Sequence, residues 1–359
     1  MAGSASSPAD ASAPNGDAAP ADGVKADAID HHADLRGKCN LKTSYPDDEA
    51  CIPPPPPGTG MQIHVGPTNY DDPAEVAQFL IHPGDELDEC FTLHTPNDKP
   101  IHYQTFVLSG RKGTHHIINT MYSDKLDEGK FGRCSDAQTA SVGTLPGASK
   151  PYMARGTVAP EYAHVGRLVP AQTTFQADMH YYNFTNEDII REFWLNIYFV
   201  DDAEITEEAQ QIRGFGGLSW NSKPIQPGTD EVYKYSCPIK GDGYLLSLLG
   251  HYHAHGKRFT ATIQRASGAL DKVFEMYDYT DPATFEYNTV VDNPAFSDIT
   301  AGAVSGRLAV HDGDSLLWEC HIINDSDVAL HYVNMVKTGE MCNIWGASVG
   351  VNRIDCLLP

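Results

Sequence analysis

Positive charge is what this sequence lacks most: 25 lysines and arginines stand against 48 aspartates and glutamates, a formal charge of -23 over 359 residues. So acidic a chain repels phosphate backbones and anionic lipid, which sets nucleic acid aside as a partner. Long apolar runs are missing too. No stretch approaches the roughly 18 to 20 apolar residues that cross a bilayer, so no integral membrane segment is expected. The opening residues show neither the basic nor the apolar region of an export signal, and Met1-Ala2-Gly3-Ser4 reads as standing in place of one. None of the eight cysteines sits in a CxxC pair. That spacing excludes a zinc ribbon and suits four disulfides in an oxidising compartment, meaning secreted, periplasmic or cell-surface; eight buried thiols in a cytosolic protein are the alternative.

Aromatic residues are absent from residues 1–36, a stretch of Ala, Ser, Pro, Gly and Asp that cannot bury enough apolar surface to fold alone. It is expected to be a disordered tail. The run Pro53 to Pro57 lacks backbone donors and favours polyproline geometry, with the first folded domain consolidating after it. Helical signals are scarce beyond that point, and the one short helix expected lies near Ala203 to Ile212.

What is present is a series of strand-like runs rich in aromatic and branched residues and bounded by Gly, Pro, Asn or Asp. They occupy Ile101 to Leu108, Thr114 to Tyr122, Thr173 to Phe184, Arg191 to Val200, Tyr244 to Gln264 and Arg307 to Asn324. In Arg191 to Val200, Phe193, Leu195, Ile197 and Phe199 share one face and Trp194, Asn196 and Tyr198 the other, which predicts a half-buried strand. Length and pattern together predict an all-β chain of two β-sandwich domains, residues 37–201 and 202–359, divided at the acidic stretch after Asp201.

Sixteen histidines are many for this length, and several cluster: His115-His116, His180, and His251-Tyr252-His253-Ala254-His255. Residues two apart on a strand point the same way, so His251 and His253 can offer imidazoles to one metal, with His255 a candidate third. The plain alternative is a solvated polar face. His115 and His116 face opposite sides of an ideal strand and share an ion only through a twist, a bulge or different ring nitrogens. Taken singly, His180 reads as a satisfied polar group and Met341 as core packing. His311, His321 and His331, ten residues apart, read as ordinary strand or loop histidines. Asn183-Phe184-Thr185 and Asn324-Asp325-Ser326 match the glycosylation pattern and are assigned no role.

Four motifs in order change that balance. Thr114-His115-His116-Ile117, Asp178-Met179-His180-Tyr181-Tyr182-Asn183, His251-Tyr252-His253 leading to Gly256-Lys257, and Glu340-Met341-Cys342-Asn343 together resemble the copper type II, ascorbate-dependent monooxygenases, the family of peptidylglycine alpha-hydroxylating and dopamine beta-monooxygenases. The resemblance covers roughly residues 70 to 359. It implies two tandem antiparallel jelly-roll sandwiches, one copper each, facing a solvent-filled cleft. His115, His116 and His180 would hold the electron-transfer copper of the first domain. His251, His253 and Met341 would hold the oxygen-activating copper of the second and serve as its catalytic residues; His255 is left without a ligand role. Imidazole suits both copper oxidation states and a thioether favours copper(I). The resemblance also implies disulfides Cys90–Cys134, Cys320–Cys342 and Cys237–Cys356, leaving Cys39 and Cys51, outside the resembling region, for each other.

The reaction so implied hydroxylates a C–H bond of a small organic substrate with dioxygen and a one-electron donor such as ascorbate. The chain departs from the peptide-hydroxylating branch at the substrate end. Leu249 and Trp345 stand where that branch has an arginine and a tyrosine for the substrate carboxylate, which with Asn343 suits an apolar or aromatic substrate better than a glycine-ended peptide. Two other functions remain open: a cupin-like oxygenase or hydrolase with His251, His253, His255 and a carboxylate around one metal, and a non-catalytic secreted copper-binding protein.

Overall fold

The computed structural model describes residues 35–357 apart from 124–125, 135–140, 149–153, 157–163, 278, 280–283, 287–306, 336–337 and 353. The tail expected over residues 1–36 lies, but for its last two residues, outside the described residues. Strands dominate the chain from Gly60 onward, as the alternating runs predict, and they build the all-β sandwich architecture expected. No helix among the described residues is long and apolar enough to cross a membrane.

Each half carries its own core. Met61, Ile63, Phe175, Met179, Phe193, Leu195 and Ile197 pack in the first, and Ile212, Phe259, Phe274, Trp318, Ile322 and Ile344 in the second. The two repeat one strand order. In the first, Gly60–Val65, Phe193–Val200, Ile101–Gly110 and Val165–Val169 lie side by side; in the second, Gln210–Gly216, Cys342–Val349, Gly243–His251 and Leu308–Val310 do the same. The opposing sheets repeat as well, with Glu86–His94, Thr174–Tyr182 and Thr114–Tyr122 matched by Asp230–Pro238, Ser315–Ile323 and Gly256–Gln264.

Two expectations need correction. The strand Phe193–Val200 is buried on both faces along most of its length, because the segment before the first strand covers its outer side. There Asn196 Nδ2 donates to the Pro53 carbonyl (2.8 Å), Gln62 Nε2 donates to that of Ile52 (2.9 Å), and Trp194 stacks on His64. The folded part thus begins before the proline run. Second, no α-helix forms over Ala203 to Ile212; a 3-10 turn at Asp202–Glu204 gives way to strand, since Gln210 to Ile212 pair with Gly346 to Ser348. Just past the division expected after Asp201, Glu207 and Glu208 pair with Val165 and Gly166, and the next strand, Gln210–Gly216, pairs with Cys342–Val349.

All eight cysteines pair, as Cys39–Cys51, Cys90–Cys134, Cys237–Cys356 and Cys320–Cys342. Four disulfides suit an oxidising compartment. The two glycosylation patterns turn out to be one structural device used twice. Asn183 Oδ1 accepts from Thr185 N and Oγ1, and its Nδ2 donates to the carbonyls of Ile81 and Glu187. Asn324 Oδ1 accepts from Ser326 N and Oγ, and its Nδ2 donates to those of Ile225 and Val328. Both amides are buried and fully used. Protein made in a glycosylating host is therefore expected to carry no glycan at either asparagine, which intact-mass measurement checks.

Beneath the covering segment lies a buried ion pair. Arg111 Nε donates to Glu192 Oε2 at 2.6 Å, and both side chains are almost fully enclosed. Arg111 also ties the segment down through Asp48 (3.0 Å) and the Pro46 carbonyl (2.8 Å), while Glu192 takes His64 Nε2 (2.7 Å) and the Tyr70 hydroxyl. Removing one member of such a pair strands a buried charge. Glu192→Gln is expected to lower stability by about 3–5 kcal/mol, read as a shift in the denaturant midpoint at unchanged slope.

Candidate metal centre

His115 and His116 begin the strand Thr114–Tyr122, next to Thr174–Tyr182 with His180 near its end. Regular pairing would turn the two adjacent histidines to opposite faces. The register slips here: His180 lies opposite His116, and Tyr181 lies opposite Thr114, so His115 is the extra residue of a β-bulge. The bulge lets both rings reach His180, with centroids 4.9 Å (His115) and 5.0 Å (His116) away.

The second half delivers its histidines from the other side. His251 ends the strand Gly243–His251, whose neighbour Cys342–Val349 places Asn343 opposite His251 and Trp345 opposite Leu249. His253 follows in the turn. The two groups then meet: His251 lies 6.0 Å from His115 and 5.5 Å from His116 between ring centroids, His253 lies 5.6 Å from His115, and His251 and His253 are 5.2 Å apart. Five imidazoles from two sandwiches form one cluster. The resemblance implies two ligand sets across a solvent-filled cleft; here the facing walls are closed on each other, and His116, His180, His251 and His253 are at most 3% exposed. A patch of Val165, Leu246, Ala347 and Val349 buries apolar surface beside the junction.

Ring nitrogens in this cluster have no hydrogen-bond partner: Nε2 of His115, both nitrogens of His116, Nδ1 of His180, and Nε2 of His251 and His253. A buried polar atom left unpaired costs about 1–3 kcal/mol, so six in one place call for a ligand. A cation is the ligand they can take, since neutral imidazole is the metal-binding form and four of the rings, those of His115, His116, His251 and His253, are held neutral. Burial, reinforced by the neighbouring imidazoles, pushes His115 down to about 2 and His116, His251 and His253 well below the ordinary histidine value.

Side chains outside the four motifs' ligand positions orient the rings. His180 Nε2 lies 2.8 Å from Glu86 Oε1, so it carries the proton and leaves Nδ1 as the lone pair aimed into the cluster. His253 Nδ1 donates to the Gly339 carbonyl (3.3 Å), leaving Nε2 free. Glu340 is wholly buried, and its Oε1 accepts from the backbone N–H of both His253 and Met341. Burial outweighs these donors and pushes its carboxyl up to about 7. Asp178 is likewise pushed well up by burial and then by Asp88, which itself lies within ligand reach of His116 and His180. Nothing in the spacing marks Glu86 or Asp88, which precede the histidine they serve by a whole strand pairing; Asp178 and Glu340 do stand inside motifs.

Met341, buried, comes immediately before the strand of Asn343, and its sulfur accepts from Asn343 Nδ2 at 3.4 Å. Trp345 lies against the His251 ring, 5.4 Å between centroids. His255 turns away from the cluster to Asp325 (3.2 Å). His321 pairs with Asp230 (2.6 Å), and His311 lies 3.4 Å from Asp242 on the surface, both as ordinary polar groups; His331 lies at an isolated bridge with Gly339.

No protein-family model matches the chain, and no curated protein does. Among solved structures, the glycosylasparaginase PNGase F of Flavobacterium meningosepticum aligns at 8% identity and a TM-score of 0.33, over 82% of this chain and 98% of that one. A recombinant N-glycanase F aligns at 7% and 0.31, over 83% and 97%. An infectious bursal disease virus structure of the Gx strain reaches 10% and 0.16, over 89% of each. At these scores the likenesses carry no argument about the site.

The cluster makes stability depend on pH. His115, His116, His251 and His253 take up protons only on unfolding, so in metal-free protein they cost nothing above about pH 6.5 and progressively more below it. Asp178 and Glu340 act oppositely: their raised carboxyls hold protons that the unfolded chain releases, a stabilisation present at low pH and lost as pH rises, through about 7 for Glu340. Four histidines outnumber two carboxyls. The urea midpoint of the metal-free protein is therefore expected to drop between pH 7.5 and 5.5, and a rise over that interval would contradict the burial of the rings.

Proposed function

We propose that this chain is a copper-dependent monooxygenase that hydroxylates a C–H bond of a small apolar or aromatic substrate, with dioxygen and a one-electron donor such as ascorbate. The supporting observation is the set of five converging imidazoles, each with a buried ring nitrogen that has no hydrogen-bond partner, together with the buried thioether of Met341. Imidazole is at home on copper in both oxidation states, and a methionine sulfur selects copper(I). His115, His116 and His180 would hold one ion and His251, His253 and Met341 the other. Copper bound there supplies one-electron redox chemistry with dioxygen, giving overall substrate R–H, O2, two electrons and two protons to ROH and water.

The rest of the work falls to the chain. Glu86 and the Gly339 carbonyl fix which nitrogens of His180 and His253 face the metal. Glu340 ties the turn of His253 to Met341, so the imidazole and the thioether keep one spacing. Closure of the halves keeps water from the rings. Trp345 against His251, with Leu249 across the ladder, offers an apolar wall that suits an apolar or aromatic substrate. A one-metal cupin-like centre draws less support, since His255 belongs to none of the groups within ligand reach among the described residues.

Metal analysis after copper loading, with X-ray absorption of the reduced protein, tests this reading. Two coppers per chain are expected, with a sulfur scatterer that disappears in Met341→Ala, and ascorbate-driven oxygen consumption once a substrate is present. One non-copper metal without sulfur would overturn it. Two coppers without oxygen consumption across an aromatic substrate panel would leave a copper-binding protein in its place.

A further inference from the structure

Ligand distances divide the cluster differently from the motifs. His115, His116 and His251 each offer a ligand atom within 4.8 Å of the others, although the first two belong to one sandwich and the third to the other. A second group within the same limit consists of Asp88, His116 and His180. In the closed arrangement, His251 therefore comes within ligand reach of the first half's pair, a grouping that an assignment by halves does not contain.

We infer that His115, His116 and His251 hold one metal ion between them, so that the ion staples the two sandwiches together. This rests on the metal-binding reading above and, for the closed form, replaces its division of the ligands by halves with a site shared across the junction. Three observations carry it. Each of the three rings has a buried nitrogen without a hydrogen-bond partner, and each offers a ligand atom within 4.8 Å of the others. The bulge at His115 brings both first-half rings to the face that meets His251. The junction also closes through the patch of Val165, Leu246, Ala347 and Val349, the short pairing of Glu207–Glu208 with Val165 and Gly166, and the Arg307–Glu207 ion pair at 2.8 Å, so the rings meet in a form that other contacts already favour. A ligand that binds only the closed form stabilises that form by its own binding free energy, so metal binding and closure become one equilibrium.

The probe is Cu(II) at one equivalent on the metal-free full chain. Imidazoles around the ion are counted by X-ray absorption, and closure is read by amide hydrogen exchange in Val165–Val169 and Gly243–His251. Two variants decide. His251→Ala is expected to take the imidazole count from three to two, to abolish the slowing of exchange, and to weaken the first ion at least about tenfold, the smallest loss seen for merely outer partners of a metal site. The variant His180→Ala/His253→Ala/Met341→Ala, which keeps only the shared set, is expected to bind one ion with three imidazoles and to show the slowing. If His251→Ala keeps three imidazoles and its affinity, the staple is overturned while the copper reading stands. If the wild type binds no copper, both fall. Should the triple variant not fold, as judged by circular dichroism, the His251→Ala result decides alone.

Discussion

Everything at this site depends on one constraint: each of five imidazole rings between the two sandwiches keeps at least one buried nitrogen with no hydrogen-bond partner. Protein interiors rarely tolerate even one such group, and here six ring nitrogens are left unpaired within one cluster. Packing alone gives no return on that arrangement. Protonation gives none either, since burial and mutual repulsion hold the rings neutral. On the proposed reading a metal ion satisfies the nitrogens, and the surrounding hydrogen bonds suit it: Glu86 and the Gly339 carbonyl each occupy one nitrogen of a ring and leave the other unpaired.

The duplicated architecture shows how one scaffold yields two kinds of interior. In both halves a bulge falls at the same place in the ladder, at His115 in the first and at Lys257 in the second, where Gly256 and Arg258 bracket the slip. The histidine that follows the ladder is also repeated: His180 pairs with Glu86, and His321 with Asp230. Only the first copy carries histidines at the bulge. At the other end, Gly110 lies opposite Phe193 and Gly250 opposite Ile344, which puts the Arg111–Glu192 ion pair in the place that His251 and Asn343 take in the second half. Each sandwich has thus kept one of these positions for imidazoles aimed at the junction, and has filled the equivalent position with charged groups that pair locally or face solvent.

Carboxyl groups shape this centre as much as histidines do. Glu340 collects backbone N–H groups from the turn holding His253 and from Met341, which joins two segments far apart in the chain. The disulfide Cys320–Cys342 fastens the same region from the neighbouring residue. Position, rather than flexibility, is what these contacts supply.

The sequence by itself determined the strand content, the two-sandwich plan and the identity of the clustered histidines, because strand alternation and motif spacing are local properties of the chain. The pairing of the cysteines, read from a resemblance, appears in the structure as well. Local pattern misled where a distant segment intervened: Phe193–Val200 alternates as a half-buried strand does, yet residues 46–57 cover its outer face. The helix expected near Ala203 gave way to pairing with Gly346 to Ser348, a partner more than a hundred residues away. Only the tertiary structure decided that His115 and His116 share a face, since a bulge is set by register against a second strand, and that the ligands of both halves form one buried cluster, since that follows from how the sandwiches close.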